Sequence, residues 1–242
     1  MSQSSINQSS MNQSGRVLYD LAGADPARRF SPFCWRTRMA LAHKGLEVET
    51  IPWRFTDTDV IAFSGQGRVP VLTDGATTLH DSWTIAVHLE TAYPDRPLLF
   101  GGTTGMAITR FINAWADRTL QPTIAPLVIT DILAHLHEKD QPYFRASREK
   151  AFGRRLEEVT VDRDSRVHIF RQTLEPLRTI LRTQPFIAGD APAYADYIPF
   201  GSLQWARAIS PFQLLEPEDP VFAWRDRLLD AFGGLGRNTP SY

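Results

Sequence analysis

Hydrophobic and polar positions divide this chain into two regimes. From residue 16 to residue 93, apolar runs of strand length alternate with stretches of helical period; after residue 105 only the helical period persists. Residues 16–21 (RVLYDL) form a strand-length apolar run, and residues 32–44 (PFCWRTRMALAHK) read as a helix stopped by Gly45. Residues 46–53 (LEVETIPW) alternate as a half-buried strand does, and a short helix is expected within 56–64. Residues 69–73 (VPVLT), the Asp74-Gly75 turn and residues 77–79 predict a hairpin. Residues 82–93 (SWTIAVHLETAY) then predict a helix closed by Pro94. The resulting order, β-α-β-α-β-β-α, is that of an α/β unit.

Residues 93–105 (YPDRPLLFGGTTG) carry the proline and glycine of an interdomain linker. The expected division is an α/β domain over 16–93, a linker over 94–104 and an all-helical domain over 105–242. A helix over 109–120 carries Phe111, Ile112 and Trp115. A long helix is expected over 148–182, because Val167, Phe170, Leu174, Leu177 and Leu181 recur at three- and four-residue spacing. Pro176 should kink it. Further helices are expected over 196–209 and 221–232, and there is no internal repeat.

Composition narrows the class. The 26 basic and 27 acidic residues nearly cancel, which leaves no electrostatic footprint for nucleic acid or an anionic membrane. Residues 1–15 are rich in Ser, Gln and Asn and lack the basic start and apolar middle of a secretory signal. They read as a disordered tail or an expression remnant. No later apolar run is long enough to span a bilayer. Cys34 is the single cysteine, which excludes an internal disulfide and suits a reducing, cytoplasmic setting.

Three junctions carry residue types with chemical potential. Ser31 stands where the first helix begins, ahead of Pro32 at the favoured first position, and by itself reads as a cap. Pro70 opens an inner strand and removes a ladder hydrogen bond. Either Val69-Pro70 is cis, leaving the Val69 backbone to pair with an extended peptide, or the strand lies at an edge. Asp81-Ser82 opens the helix after the hairpin, as a cap or as a seat for a carboxylate. All three lie at junctions of one α/β unit, where open sheets bind ligands. Anchors for a thiol, a peptide backbone and a carboxylate together suit a short peptide with a central cysteine.

On these residues the chain resembles the glutathione transferase superfamily over nearly its whole length. SPFCWRTR (31–38), RVPVL (68–72) and DSW (81–83) fall at first-helix, third-strand and third-helix positions. FIAGDAPAYADY (186–197) resembles the family's structural motif before the core helix of the second domain, with Asp196 matching its buried aspartate. The Ser or Thr usual three positions earlier is Ala193 here. Within the superfamily the chain is most similar to bacterial lignin β-etherases and fungal etherase-like glutathione transferases. That likeness runs through SP-aromatic-x-WRT, DSW, YPDRPLLFGG (93–102), SREKAFGRRLEEV (147–159) and residues 219–227. The chain ends soon after Gly236, without the long C-terminal extension that some of these etherases carry.

The resemblance implies a thioredoxin-like glutathione-binding domain followed by an all-α domain, in a homodimer. It implies that Ser31 donates to the glutathione sulfur and holds it as a thiolate. Val69, ahead of a cis Pro70, would pair with the cysteinyl backbone, and Asp81 and Ser82 would hold the γ-glutamyl group. Arg68 is the candidate for the glycyl carboxylate, with Arg54 a lesser one. The acceptor, a small aromatic electrophile, would lie between the domains, with Phe33 and Trp115 as candidate walls; such residues also serve as plain core. Glutathione is then a co-substrate, and no metal is called for: no His, Cys or acidic grouping has ligand spacing.

Two other readings stay open. One is a transferase-fold protein that binds glutathione or aromatic ligands without catalysis. The other is a thiol oxidoreductase, since Ser-Pro-Phe-Cys is one atom away from Cys-Pro-Phe-Cys. In that chemistry Cys34 would hold the resolving position, while the nucleophile's position holds Ser31.

Overall fold

The computed structural model describes residues 15–242; the tail expected over residues 1–15 lies, but for Gly15, outside the described residues. Strands β1 (Arg16–Leu21), β2 (Glu49–Trp53), β3 (Val71–Asp74) and β4 (Thr77–His80) form one sheet in the order β2-β1-β3-β4. β1 runs parallel to β2 and antiparallel to β3, so the buried Leu18 stands between Thr50 and Leu72. Helix α1 (Pro32–His43) connects β1 to β2, a 3-10 turn (Thr58–Ser64) precedes β3, and helix α2 (Ser82–Ala92) follows β4. This is the expected β-α-β-α-β-β-α order in a thioredoxin-like sheet, with its second helical element tightened to 3-10 form. Gly45, at a φ of 62°, ends α1 as the sequence suggested. The Val69-Pro70 peptide is cis, and β3 begins only at Val71.

From residue 103 onward the described elements are helical. Helix α3 (Thr103–Trp115) continues through one π turn (Ala116–Leu120) into α4 (Gln121–Val128). Two 3-10 turns lead to α5 (Gln141–Phe152), α6 (Leu156–Val159), α7 (Arg163–Thr173), α8 (Glu175–Leu181), α9 (Tyr194–Ile209) and α10 (Pro220–Gly234). The single long helix expected over 148–182 is not formed. α5 stops at Gly153, whose left-handed backbone (φ 68°) lets its N–H reach the Glu149 carbonyl at 2.8 Å. α7 and α8 meet at Leu174, and Pro176 lies in the first turn of α8, where no intrahelical N–H is needed. The apolar spacing runs across the break between α7 and α8 because Val167, Phe170, Leu174, Leu177 and Leu181 all enter the core.

Helix α9 is the axis of the helical half: every residue in it except Arg207 is buried. Asp196, in its first turn, accepts the N–H groups of Ile187 (2.7 Å), Ala188 (3.3 Å) and Ala193 (3.1 Å) and the Trp224 indole N–H (2.8 Å). Burial raises its carboxyl above the usual range, and these donors offset part of that. α9 packs along α1. Tyr197 meets the end of α1, its hydroxyl 2.7 Å from His43 Nδ1. The Tyr194 hydroxyl donates to the Ser82 carbonyl at 2.7 Å, at the start of α2. The fully buried Arg36 of α1 donates to Asn113 Oδ1 at 3.2 Å and Asp117 Oδ1 at 2.7 Å. Among the described residues no helix is long and apolar enough to cross a membrane.

Candidate active site

The chemistry begins at the first turn of α1. Ser31 has extended backbone (φ −71°, ψ 125°), and its Oγ accepts the Cys34 amide N–H at 3.2 Å. A hydroxyl oxygen that accepts one bond still has its hydrogen to donate. Ser31 lines a cleft of about 450 Å³ between the sheet and the helical half. Cys34, one turn deeper, is fully buried. Burial raises its thiol well above the ordinary range; the neighbouring Asp20 charge adds to this and the Ser31 hydroxyl offsets part. Asp20 is itself fully buried, with the guanidinium groups of Arg29 and Arg38 at 3.6 and 3.7 Å. Burial raises its carboxyl, and Arg38 and Arg29 act against that rise.

A second depression of about 210 Å³ adjoins the first, sharing Phe33, Arg68 and Val69 with it. Its other walls are Gln66, Pro70, His80, Asp81 and Ser82. Asp81 has a left-handed φ of 69°, uncommon for a residue other than glycine, and its Oδ1 caps α2 by accepting the Thr84 N–H at 2.9 Å. Ser82, the first residue of α2, is 2 % exposed. Ser31, Phe33, Arg68 and Val69 therefore line the large cleft, and Pro70, Asp81 and Ser82 complete the small one.

Two candidates lie elsewhere. Trp115 lies outside both walls and packs half-buried against the core, while Phe111 on the same helix is 74 % exposed. Arg54 donates to the carbonyls of Gly23 (3.2 Å) and Ala24 (3.3 Å) and bounds neither depression. The far wall of the large cleft is built instead by Ala125 of α4, by Tyr143, Phe144, Arg148 and Phe152 of α5, and by Trp205 of α9. Phe144, Arg148 and Phe152 recur at four-residue spacing, the sequence signal that marks them as one helix face. Phe30, Trp53 and Phe55 close the cleft from the sheet side. Among the described residues its walls hold two cations, Arg68 and Arg148, and no carboxylate. Among the described residues no group of three His, Cys, Asp or Glu could hold a metal ion.

A four-stranded thioredoxin-like sheet, a serine-capped first helix beside a cis-proline turn, and a helical second half define a two-part protein with its cleft between the parts. The pattern described as the glutathione S-transferase N-terminal domain matches residues 30–92, and that of the glutathione S-transferase C-terminal domain matches residues 107–219. The chain belongs to the glutathione S-transferase family. Glutathione S-transferase 4 of Zea mays is 28 % identical over 202 residues, spanning 80 % of this chain and 82 % of that protein. Glutathione S-transferase Z1 of Arabidopsis thaliana is 41 % identical over 69 residues, 26 % of this chain and 31 % of the relative. Among solved structures, a Phanerochaete chrysosporium glutathione transferase shares 27 % identity at a TM-score of 0.72, covering 91 % of this chain and 93 % of that one. A Ceriporiopsis subvermispora glutathione S-transferase, solved in complex with glutathione, shares the fold at a TM-score of 0.78 and 22 % identity, covering 94 % and 99 %.

Proposed function

We propose that this glutathione S-transferase is of the β-etherase type, activating glutathione at Ser31 to attack an aromatic electrophile such as a lignin-derived β-aryl ether. The observation that carries the reading is the placement of Ser31. It caps α1 in the wall of an aromatic cleft, and that cleft runs into a polar depression ending at the N-terminus of α2. In this reading glutathione lies along that depression in one direction. Val69 offers backbone to the cysteinyl unit, Asp81 and Ser82 hold the γ-glutamyl group, and Arg68 faces the glycyl carboxylate. The glutathione complex of the Ceriporiopsis relative supports this use of the fold.

A free thiol titrates near ~8.5, so only a few per cent is thiolate at neutral pH. Lowering that value by about two units takes about 2.7 kcal/mol. The Ser31 hydroxyl and the positive end of α1 are suited to supply it. The thiolate then attacks the carbon that bears the ether oxygen beside the carbonyl. The C–S bond forms as the C–O bond breaks, and the departing phenolate takes a proton from water. The depth of Cys34 argues against a thiol–disulfide cycle at this helix. A cytoplasmic homodimer is the setting the family suggests.

Phenol release from a β-aryl ether ketone, with and without glutathione, tests the reading, followed by chiral separation of the remaining ether. Glutathione-dependent release is expected, with one enantiomer consumed. Absence of release, in an enzyme that still conjugates another aromatic electrophile, would withdraw the etherase type.

A further inference from the structure

We propose that the acceptor of this enzyme carries a carboxylate on its aromatic framework, and that Arg148 is the residue that selects it. The inference rests on the reading of the large cleft as the acceptor site. Arg148 lies on α5 in the cleft wall, its guanidinium 4.9 Å from the ring centroid of Phe144 and 5.7 Å from that of Phe55. Among the described residues its one hydrogen bond goes to Ser147 Oγ at 3.3 Å, and no carboxylate pairs with it.

Its neighbours are treated differently. On the same helix Arg145 pairs with Glu149 at 2.9 Å and Glu157 at 2.8 Å. In the helical half Arg163 pairs with Asp131 at 2.7 Å and Arg178 with Asp219 at 2.7 Å. Arg148 is the half-buried cation that faces an aromatic cleft instead. Burial holds its pKa below the usual arginine value; Tyr143 acts against that and the charge of Arg68 adds to it.

A guanidinium withdrawn from water without a counter-charge is unfavourable, and a ligand that brings the anion removes that penalty on binding. Aromatic rings over the guanidinium face hold it in plane, while its N–H fork matches a carboxylate in bidentate geometry. With Arg68 assigned to the peptide's glycyl carboxylate, Arg148 is the cleft cation left to the acceptor. A packing role alone, as a cation–π lid, would not distinguish an acid from its ester.

The test compares two β-aryl ether ketones that differ only in a carboxylate or its methyl ester on the departing ring. With the full-length enzyme and saturating glutathione, KM for the acid should be at least tenfold below KM for the ester. In Arg148→Gln that preference should collapse to within about threefold, and Arg148→Lys should keep part of it. A parallel binding measurement needs no turnover: quenching of the cleft tryptophans Trp53 and Trp205 by naphthalene-2-carboxylate and by its methyl ester. The acid should bind at least tenfold more tightly, and only while Arg148 is present. Equal affinities in the wild type, or an acid preference that survives Arg148→Gln, would overturn the proposal. If neither ether turns over, the etherase reading fails and the quenching comparison alone decides the role of Arg148. If both turn over with equal KM, the etherase reading stands and the carboxylate proposal falls.

Discussion

Gly201 of α9 lies directly under the Pro32 carbonyl of α1: a Cβ at position 201 would stand 2.4 Å from that backbone oxygen. Tyr194, Tyr197 and Gly201 are spaced three and four residues apart, so they share one face of α9. That face meets the first residue of α2 through Tyr194, the end of α1 through Tyr197, and the start of α1 through Gly201. The two helix N-termini assigned to glutathione are therefore both set by the core helix of the other half. Gly201→Ala must push the first turn of α1, because the atom in the way is backbone. Overpacking of this kind costs about 1–3 kcal/mol. The variant should lose several degrees of thermal midpoint and bind glutathione severalfold more weakly. Unchanged melting and affinity would show that α9 does not position Ser31.

Capping and activation are compatible duties for Ser31, because its oxygen accepts from Cys34 and its hydrogen is left to donate. Ser31→Ala removes both. Loss of the cap costs about 1 kcal/mol, too little to unfold a chain of this size. Loss of the donor should cut glutathione-dependent turnover at least tenfold. The thiolate absorbance of bound glutathione, followed against pH, should shift to higher pH in the variant. Turnover equal to wild type would remove Ser31 from the mechanism.

Cys34 gives a test of the thiol-oxidoreductase alternative. Full burial and the adjacent Asp20 charge both favour its protonated form, and only a thiolate reacts with disulfides. In the native enzyme Cys34 should react with a chromogenic aromatic disulfide at least a hundredfold more slowly than after denaturation. Rapid labelling of the native protein would reopen that alternative.

The first half of the fold was readable because its residue types coincide with its junctions. Ser31-Pro32 opens α1, Gly45 closes it, and Asp81 caps α2. At Pro70 two alternatives stood open, and the structure has the cis peptide beside a strand that pairs on both sides. The helical half was less readable. Periodicity showed that Val167 to Leu181 share a core but could not show that the chain breaks after α5 and again between α7 and α8. It likewise marked Trp115 as apolar without saying what it faces. The far wall of the cleft joins Ala125, Phe144, Arg148 and Trp205, residues scattered along the chain and brought together only by packing. No local pattern announces such a set, although the spacing within α5 shows which of its residues lie together.

One carboxylate, Glu90 of α2, ties the end of α1 to the segment leading into α3. It pairs with the buried Lys44 ammonium at 2.6 Å and accepts the N–H groups of Leu99 at 2.8 Å and Phe100 at 3.2 Å. Burial alone would raise its carboxyl, but the Leu99 N–H, Lys44 and the Phe100 N–H outweigh it and hold the pKa below the usual value. A carboxylate with a depressed folded-state pKa contributes stability that is complete above its unfolded value, about 4.3, and is lost as pH falls through the folded value. Glu90→Gln preserves shape but leaves Lys44 buried without its counter-charge, a loss of about 3 kcal/mol at neutral pH. The thermal midpoint should fall accordingly, and the gap from wild type should hold from neutral pH down to about 5.5 and narrow below about 4.3. Lys44→Met combined with Glu90→Gln should recover part of the loss, because the stranded ammonium is gone. A gap that stays constant down to pH values where carboxylates are fully protonated would show that the contribution of Glu90 is packing rather than charge.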